Sequence, residues 1–209
     1  MTSLAVPILL ALFTLLPQAQ EPTSIASTRQ DPRFHAIVEK QFLAYEAGLA
    51  THCKDIRPDW NHATHHVYGA ITLDKDGYPF TATWAEQVPG TACGEPRRFR
   101  AMIVVRDGRL DTARMLPGDS ETSAQLENDV RDPLLGAAEG FNREIKPSCP
   151  VDVLDTHVLG SVVPRAPWQE VWLVNICGHR LNIPITFIPD AKGPGTSFSI
   201  SSAKITAAM

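Results

Sequence analysis

Basic side chains are in the minority here: 19 Lys and Arg face 23 Asp and Glu, for a net charge of −4. A dedicated nucleic-acid binder carries the opposite balance, because contact with phosphates needs a basic footprint. Long apolar runs are almost missing as well. The one present, residues 4–16 (LAVPILLALFTLL), is shorter than the roughly 20 residues that cross a bilayer and lies at the extreme N-terminus. Local catalytic signatures are scarce: there is no G-x-S-x-G elbow, no phosphate-cradling glycine loop and no dinucleotide fingerprint. A Ser-His-Asp set built from distant residues leaves no local trace. No catalytic residue is assigned, and the balance is against an enzyme.

What the chain does have is repetition. Trp84-x-Glu86 is followed after six residues by Cys93-Gly94, and Trp168-x-Glu170 after six by Cys177-Gly178. With four Trp and four Cys in 209 residues, two copies at one spacing point to duplication. The echo extends upstream: Asp31-Pro32-x-x-x-Ala36 with Asp132-Pro133-x-x-x-Ala137, Cys53 with Cys149, and His66-Val67-x-Gly69 with His157-Val158-x-Gly160. The marks keep their order in both halves.

The organisation that follows is a signal peptide over residues 1–26, a first repeat over 30–116, a linker or short helix over 117–131, and a second repeat over 132–209. The apolar run reads as a secretory leader core, with small residues suited to cleavage at Ala19 and Ala26. Four cysteines in an exported chain make two disulfides. Equivalent positions in each repeat favour Cys53–Cys93 and Cys149–Cys177. Export places the protein in the periplasm or outside the cell, with no membrane span in the mature chain.

Each repeat opens on a helix. Asp31 is a good N-cap, and Pro32 suits the first helical position, where its missing N–H costs nothing. Phe34, Ile37, Val38, Gln41, Phe42 and Tyr45 then form a mostly apolar stripe running to about Leu49. The second helix is expected from Asp132-Pro133 to about Ile145, with a separate short helix at 120–130. Strands are expected at 66–73, 78–88, 98–106 and 110–116, then at 153–162, 168–176, 180–188 and 196–202. The fold class is α+β: a tandem duplication of a helix plus a four-stranded antiparallel meander, each module with one disulfide. Pro184 is awkward in a central strand and implies an edge, a bulge or another strand order. The run Trp168–Ile176 is apolar on both faces, as if buried on both sides, so the two sheets are expected to pack together or merge.

The candidate binding residues are Trp84, Glu86, Trp168, Glu170 and Trp172, because Trp and a Glu two positions away share a strand face and Trp anchors interfaces. The competing reading of each pair is a core Trp beside a Glu that pairs or caps. Arg98 and Arg100 belong to a basic strand that suits an anionic partner or, more simply, local charge pairing. His62-x-x-His65-His66 is the densest imidazole cluster and the candidate metal site, for zinc or copper. Its alternative is a solvated loop, with no cofactor at all.

The stretch P-W-Q-E-V-W-L-V-N-I-C-G-H-R-L-N-I-P-I-T-F-I-P-D, residues 167–190, resembles a pattern in a family of exported proteins of Gram-negative bacteria. The resemblance covers about the last fifty residues and rests on the W-x-E-x-W…C-G spacing. The first repeat departs from it by carrying Val88 at the second Trp. It implies an exported, disulfide-bonded protein and no particular activity. The expected function is non-catalytic binding of a protein or cell-envelope component. The alternative is an envelope enzyme or metal-binding protein using His62, His65 and His66.

Overall fold

A computed structural model describes residues 23–193 and 195–208. The expected leader core and the Ala19 site lie outside these residues. Ala26 lies inside a short helix, α1 (Thr23–Arg29), which places Ile25 in the first core with no exposure. Helix α2 (Pro32–Gly48) follows, with Asp31 accepting from the Arg33 N–H at 2.8 Å as N-cap. Its buried positions Phe34, Val38, Phe42 and Glu46 recur every four residues, so one stripe faces the sheet.

The first sheet is built on β4 (Pro79–Ala92) and β5 (Glu95–Arg106), with β6 (Arg109–Arg114) beyond β5. Its other edge is shared by three short pieces, β1 (Ile56–Pro58), β2 (Thr64–Val67) and β3 (Thr72–Leu73), which pair in turn with successive stretches of β4. These pieces replace the single strand expected at 66–73. A 3-10 turn at Trp60–His62 separates β1 from β2, and Gly69 at positive φ lies between β2 and β3. The second sheet runs β7 (Val151–Leu159), β8 (Trp168–Ile176), β9 (His179–Pro189), β10 (Thr196–Ile200), with β11 (Thr206–Ala207) also pairing β9. The meander is therefore present in both halves, the first with a broken edge.

Turn chemistry fixes these hairpins. Cys93-Gly94, Asp107-Gly108 and Cys177-Gly178 all have positive φ at both residues, the type I′ signature that matches strand twist. Each cysteine thus sits at a hairpin tip and reaches back to the segment after its helix. Cys53 bonds Cys93 and Cys149 bonds Cys177, as the repeat suggests.

Pro184 pairs with Val171 on β8, while on its other side β10 ends at Ile185 and β11 ends at Asn182. The proline therefore falls in the gap between two flanking strands, so β9 is not paired on both sides there. Pro89 occupies the same kind of gap, between β1 at Gly90 and β2 at Gln87.

The second helix differs from expectation. Helix α3 runs continuously over Ala124–Phe141, capped by Ser123, with Pro133 inside it. Asp132 is therefore not an N-cap, and most of the expected linker is helix. Pro133 denies the helix one N–H bond to the Asp129 carbonyl, but packing outweighs that local cost. Val130, Leu134 and Ala138 have no exposure and lie in the second core with Trp172, Ile183 and Phe187. In the first copy the equivalent chain breaks between α1 and α2, at Gln30-Asp31.

The sheets do not merge. The first core lies between α1/α2 and one face of the first sheet, the second between α3 and one face of the second. Among the described residues no helix is long and apolar enough to cross a membrane.

Candidate functional site

The duplicated Trp-Glu pairs are interior. Trp84, Glu86, Glu170 and Trp172 have no exposure; Trp168 is half-buried and stacks on Phe187 at 5.0 Å. Burying a carboxylate requires donors, and the indoles supply them. Glu86 accepts from the Trp84 Nε1–H at 2.7 Å and from Arg29 Nε at 2.9 and 3.1 Å. Glu170 accepts from Trp168 at 2.9 Å, Trp172 at 2.7 Å and the backbone N–H of Glu121 at 3.0 Å. Each glutamate therefore ties its sheet to the start of its own helical layer, through α1 or through the segment entering α3. Of the two readings of these residues, the geometry fits a core Trp beside a Glu that pairs and caps: four of the five are buried, and their polar atoms are bonded inside. Trp172 fills the position that Val88 holds in the first module, five residues before the Cys-Gly turn.

Arg98 and Arg100 face away from the first core and clamp the connection between modules. Arg98 Nη1 donates to Asp119 Oδ2 at 2.6 Å. Asp119 in turn accepts from the Val158 N–H at 2.8 Å. Arg100 is buried and donates to Glu127 Oε1 at 2.8 Å and to the Leu116 carbonyl at 3.3 Å. The connection is held from both sides, with the Gly118 N–H on the Arg98 carbonyl at 2.7 Å and the Asp119 N–H on the Thr156 carbonyl at 2.9 Å. Gly118 is at φ +109°, and a Cβ there would stand 2.2 Å from the Thr156 oxygen, so only glycine fits this crossing.

Glu127 is the chemical centre of this junction. Burial pushes its carboxyl up to about 7, against the opposing pull of Arg100 and of the Leu116 N–H, which it accepts at 2.8 Å. Beside it, a cavity of about 80 Å³ is lined by Tyr45, Arg114, Asn128, Arg131 and Asp152. Tyr45, raised by burial, donates its hydroxyl to the Val153 carbonyl at 2.7 Å. Burial also raises Tyr68, which lines a polar cleft of about 150 Å³ with His66, Gln87 and Ser120. The sequence reading missed Glu127 and Gly118, since neither is repeated nor part of a motif.

The three candidate metal ligands do not converge. The His62 Nδ1–H donates to Asp59 Oδ2 at 2.7 Å, and that bond lowers the Asp59 carboxyl. His65 and His66 are successive residues of β2, opposite Glu86 and Ala85, so they project to opposite faces. Among the described residues no group of three or more His, Cys, Asp or Glu side chains is placed to hold a metal ion. The histidine echo is also offset: His66 lies opposite Ala85, but His157 lies opposite Val171, two residues along from the equivalent of Ala85. Ser201-Ser202-Ala203-Lys204 has the spacing of a Ser-x-x-Lys motif, but it forms a 3-10 turn in which both termini are exposed.

One sheet face remains open. On β8, Glu170, Trp172, Val174 and Ile176 point into the core, while Val171 and Leu173 point outward and are half-buried. With Pro184 and Asn182 of β9 they floor a groove of about 580 Å³, bordered by Asp155 and His157 on β7 and by Lys204 and Thr206 at the other margin. Leu159 and Ile188, each 44% exposed, continue the same face. The apolar pattern on both sides of β8 is thus real, but the described residues cover only one side. No protein-family model, curated protein or solved structure matches this chain.

Proposed function

We propose that this is an exported, non-catalytic binding protein that engages a protein or cell-envelope component through the open face of its second sheet. One observation carries the reading. On the outer side of β8, Val171 and Leu173 lie between Gln169 and Asn175 and face a groove that no described element fills. Apolar surface concentrated on one open face is a mark of an interaction site. The other chemically conspicuous groups support the reading by being occupied: the Trp-Glu pairs hold the cores, and the arginines hold the connection. Two disulfides favour an oxidising compartment, hence the periplasm or the exterior.

The test is photocrosslinking in cells, with p-benzoylphenylalanine placed at Leu173 and, as control, at Ile37 on the exposed side of α2. A discrete adduct from position 173 that position 37 does not give supports the reading. Equal or absent labelling at both positions removes this face as the site.

A further inference from the structure

We infer that the partner this face fits is a second copy of the same chain, a proposal that rests on reading the face as a binding surface. The pairing register carries it. Asp155 lies opposite Leu173, Leu173 opposite Asn182, and Asn182 opposite Thr206, so these four residues form one rung across β7, β8, β9 and β11. The next rung is His157, Val171 and Pro184. The centre of the face is therefore three apolar side chains, Leu173, Val171 and Pro184, beside the polar Asn182, with a carboxylate at one margin and the exposed Lys204, two residues before Thr206, at the other.

That order is self-complementary. A two-fold axis parallel to the strands, midway between β8 and β9, lays each face on its copy with left and right exchanged. Val171 then lies over Pro184 of the copy and Leu173 over its Asn182, and Asp155 comes to the margin that carries Lys204 of the copy. The contact is isologous, so each charge pair occurs twice. Sheets packed face to face keep their strands within about 30° and stand about 10 Å apart, a distance that a Lys–Asp pair bridges.

Size sets the strength. Four strands at about 4.8 Å give a width of about 19 Å, and nine residues of β8 at about 3.3 Å give about 30 Å. The plane is thus about 570 Å² per copy, at the small end of specific interfaces, which is the range of weak and reversible association. The dimer is expected to form in the micromolar range and to dissociate on dilution.

Sedimentation equilibrium of the mature, oxidised protein across the micromolar range tests this. Wild type is expected to approach twice the monomer mass at high concentration, and Leu173→Glu to remain monomeric while keeping its far-ultraviolet spectrum. Because each pair occurs twice, Asp155→Lys or Lys204→Asp alone should weaken association about tenfold. Combining the two should restore it, and this rescue decides the matter even if Leu173→Glu fails to fold. Wild type that stays monomeric at every concentration overturns the proposal. If Leu173 photocrosslinking then still captures a different protein in cells, the binding surface stands and only the second copy is wrong. If it captures nothing, both readings fall.

Discussion

Replacing Glu127 with Gln should abolish a pH dependence that the wild-type protein carries at its module junction. Glu127 is 4% exposed, and burial moves its carboxyl from 4.5 to about 7 despite the Arg100 guanidinium at 2.8 Å. Desolvation therefore outweighs the ion pair. The sign follows from proton counting. Between pH 4.5 and 7 the folded state holds a proton that the unfolded state has released, so stability falls as pH rises through that window. At about 1.4 kcal/mol per pH unit, the full loss is about 3 kcal/mol. Asp155, raised by burial, adds in the same direction, and Asp31 and Asp59, lowered by hydrogen bonds, act at the acid end. Comparison with the variant isolates Glu127 from these. Gln keeps one acceptor for Arg100 and presents an N–H₂ to the Leu116 N–H, so its absolute stability drops by about 1–3 kcal/mol at acid pH. That drop sets the intercept and leaves the slope untouched. Urea unfolding with the disulfides intact, at half-unit steps from pH 5 to 8, reads both. Wild type should lose about 3 kcal/mol across the range and the variant much less. Parallel curves, or a wild type that gains stability with rising pH, would refute the reasoning.

The remaining predictions concern the scaffold. Closing loops of 40 and 28 residues, the two disulfides should each contribute about 3.5–4 kcal/mol on the chain-entropy estimate, so paired Cys→Ser replacement at either site should lower the urea midpoint accordingly. Gly118→Ala should cost more than 2 kcal/mol and disturb contacts at Thr156, through the positive φ and the steric overlap together; a cost below 0.5 kcal/mol would contradict the close crossing. Ile25→Ala should cost about 2–4 kcal/mol, as a fully buried side chain does. On the proposed export, leader removal at Ala26 would strip Ile25 from the core, so N-terminal sequencing of the mature chain should find processing upstream of α1, near Ala19, and a start at Ser27 would contradict the role of Ile25.

Where neighbouring residues decide structure, the sequence was readable. The Asp-Gly and Cys-Gly dipeptides announced their hairpins, and the repeat spacing of Cys53, Cys93, Cys149 and Cys177 indicated the pairing that the structure has. Trp168–Ile176 was placed to the residue. Where distant residues decide, it was not. Asp132-Pro133 has the local chemistry of a helix start, and only burial of Val130 and the hold of Arg100 on Glu127 carry α3 through it. Helix α1 was hidden in the tail of the leader, because its stabilising contact, Arg29 on Glu86, spans 57 residues. Density of histidine suggested a site, but strand alternation sends His65 and His66 to opposite faces. The apolar outer side of β8 was visible in sequence; that nothing covers it was not.

The clamp on the connection also imposes an order of assembly. The first module closes its core with residues up to about 110, all of which precede Gly118 in the chain. The second module is less self-sufficient. Leu116, Leu126 and Val130 belong to its core, and Glu170 takes one of its three donors from Glu121, so it draws on chain that Arg98 and Arg100 already grip. The two halves are similar, but the second packs against connecting chain that the first holds in place. Any N-terminus-first delivery of the chain, as in synthesis, supplies them in the sequence this dependence requires.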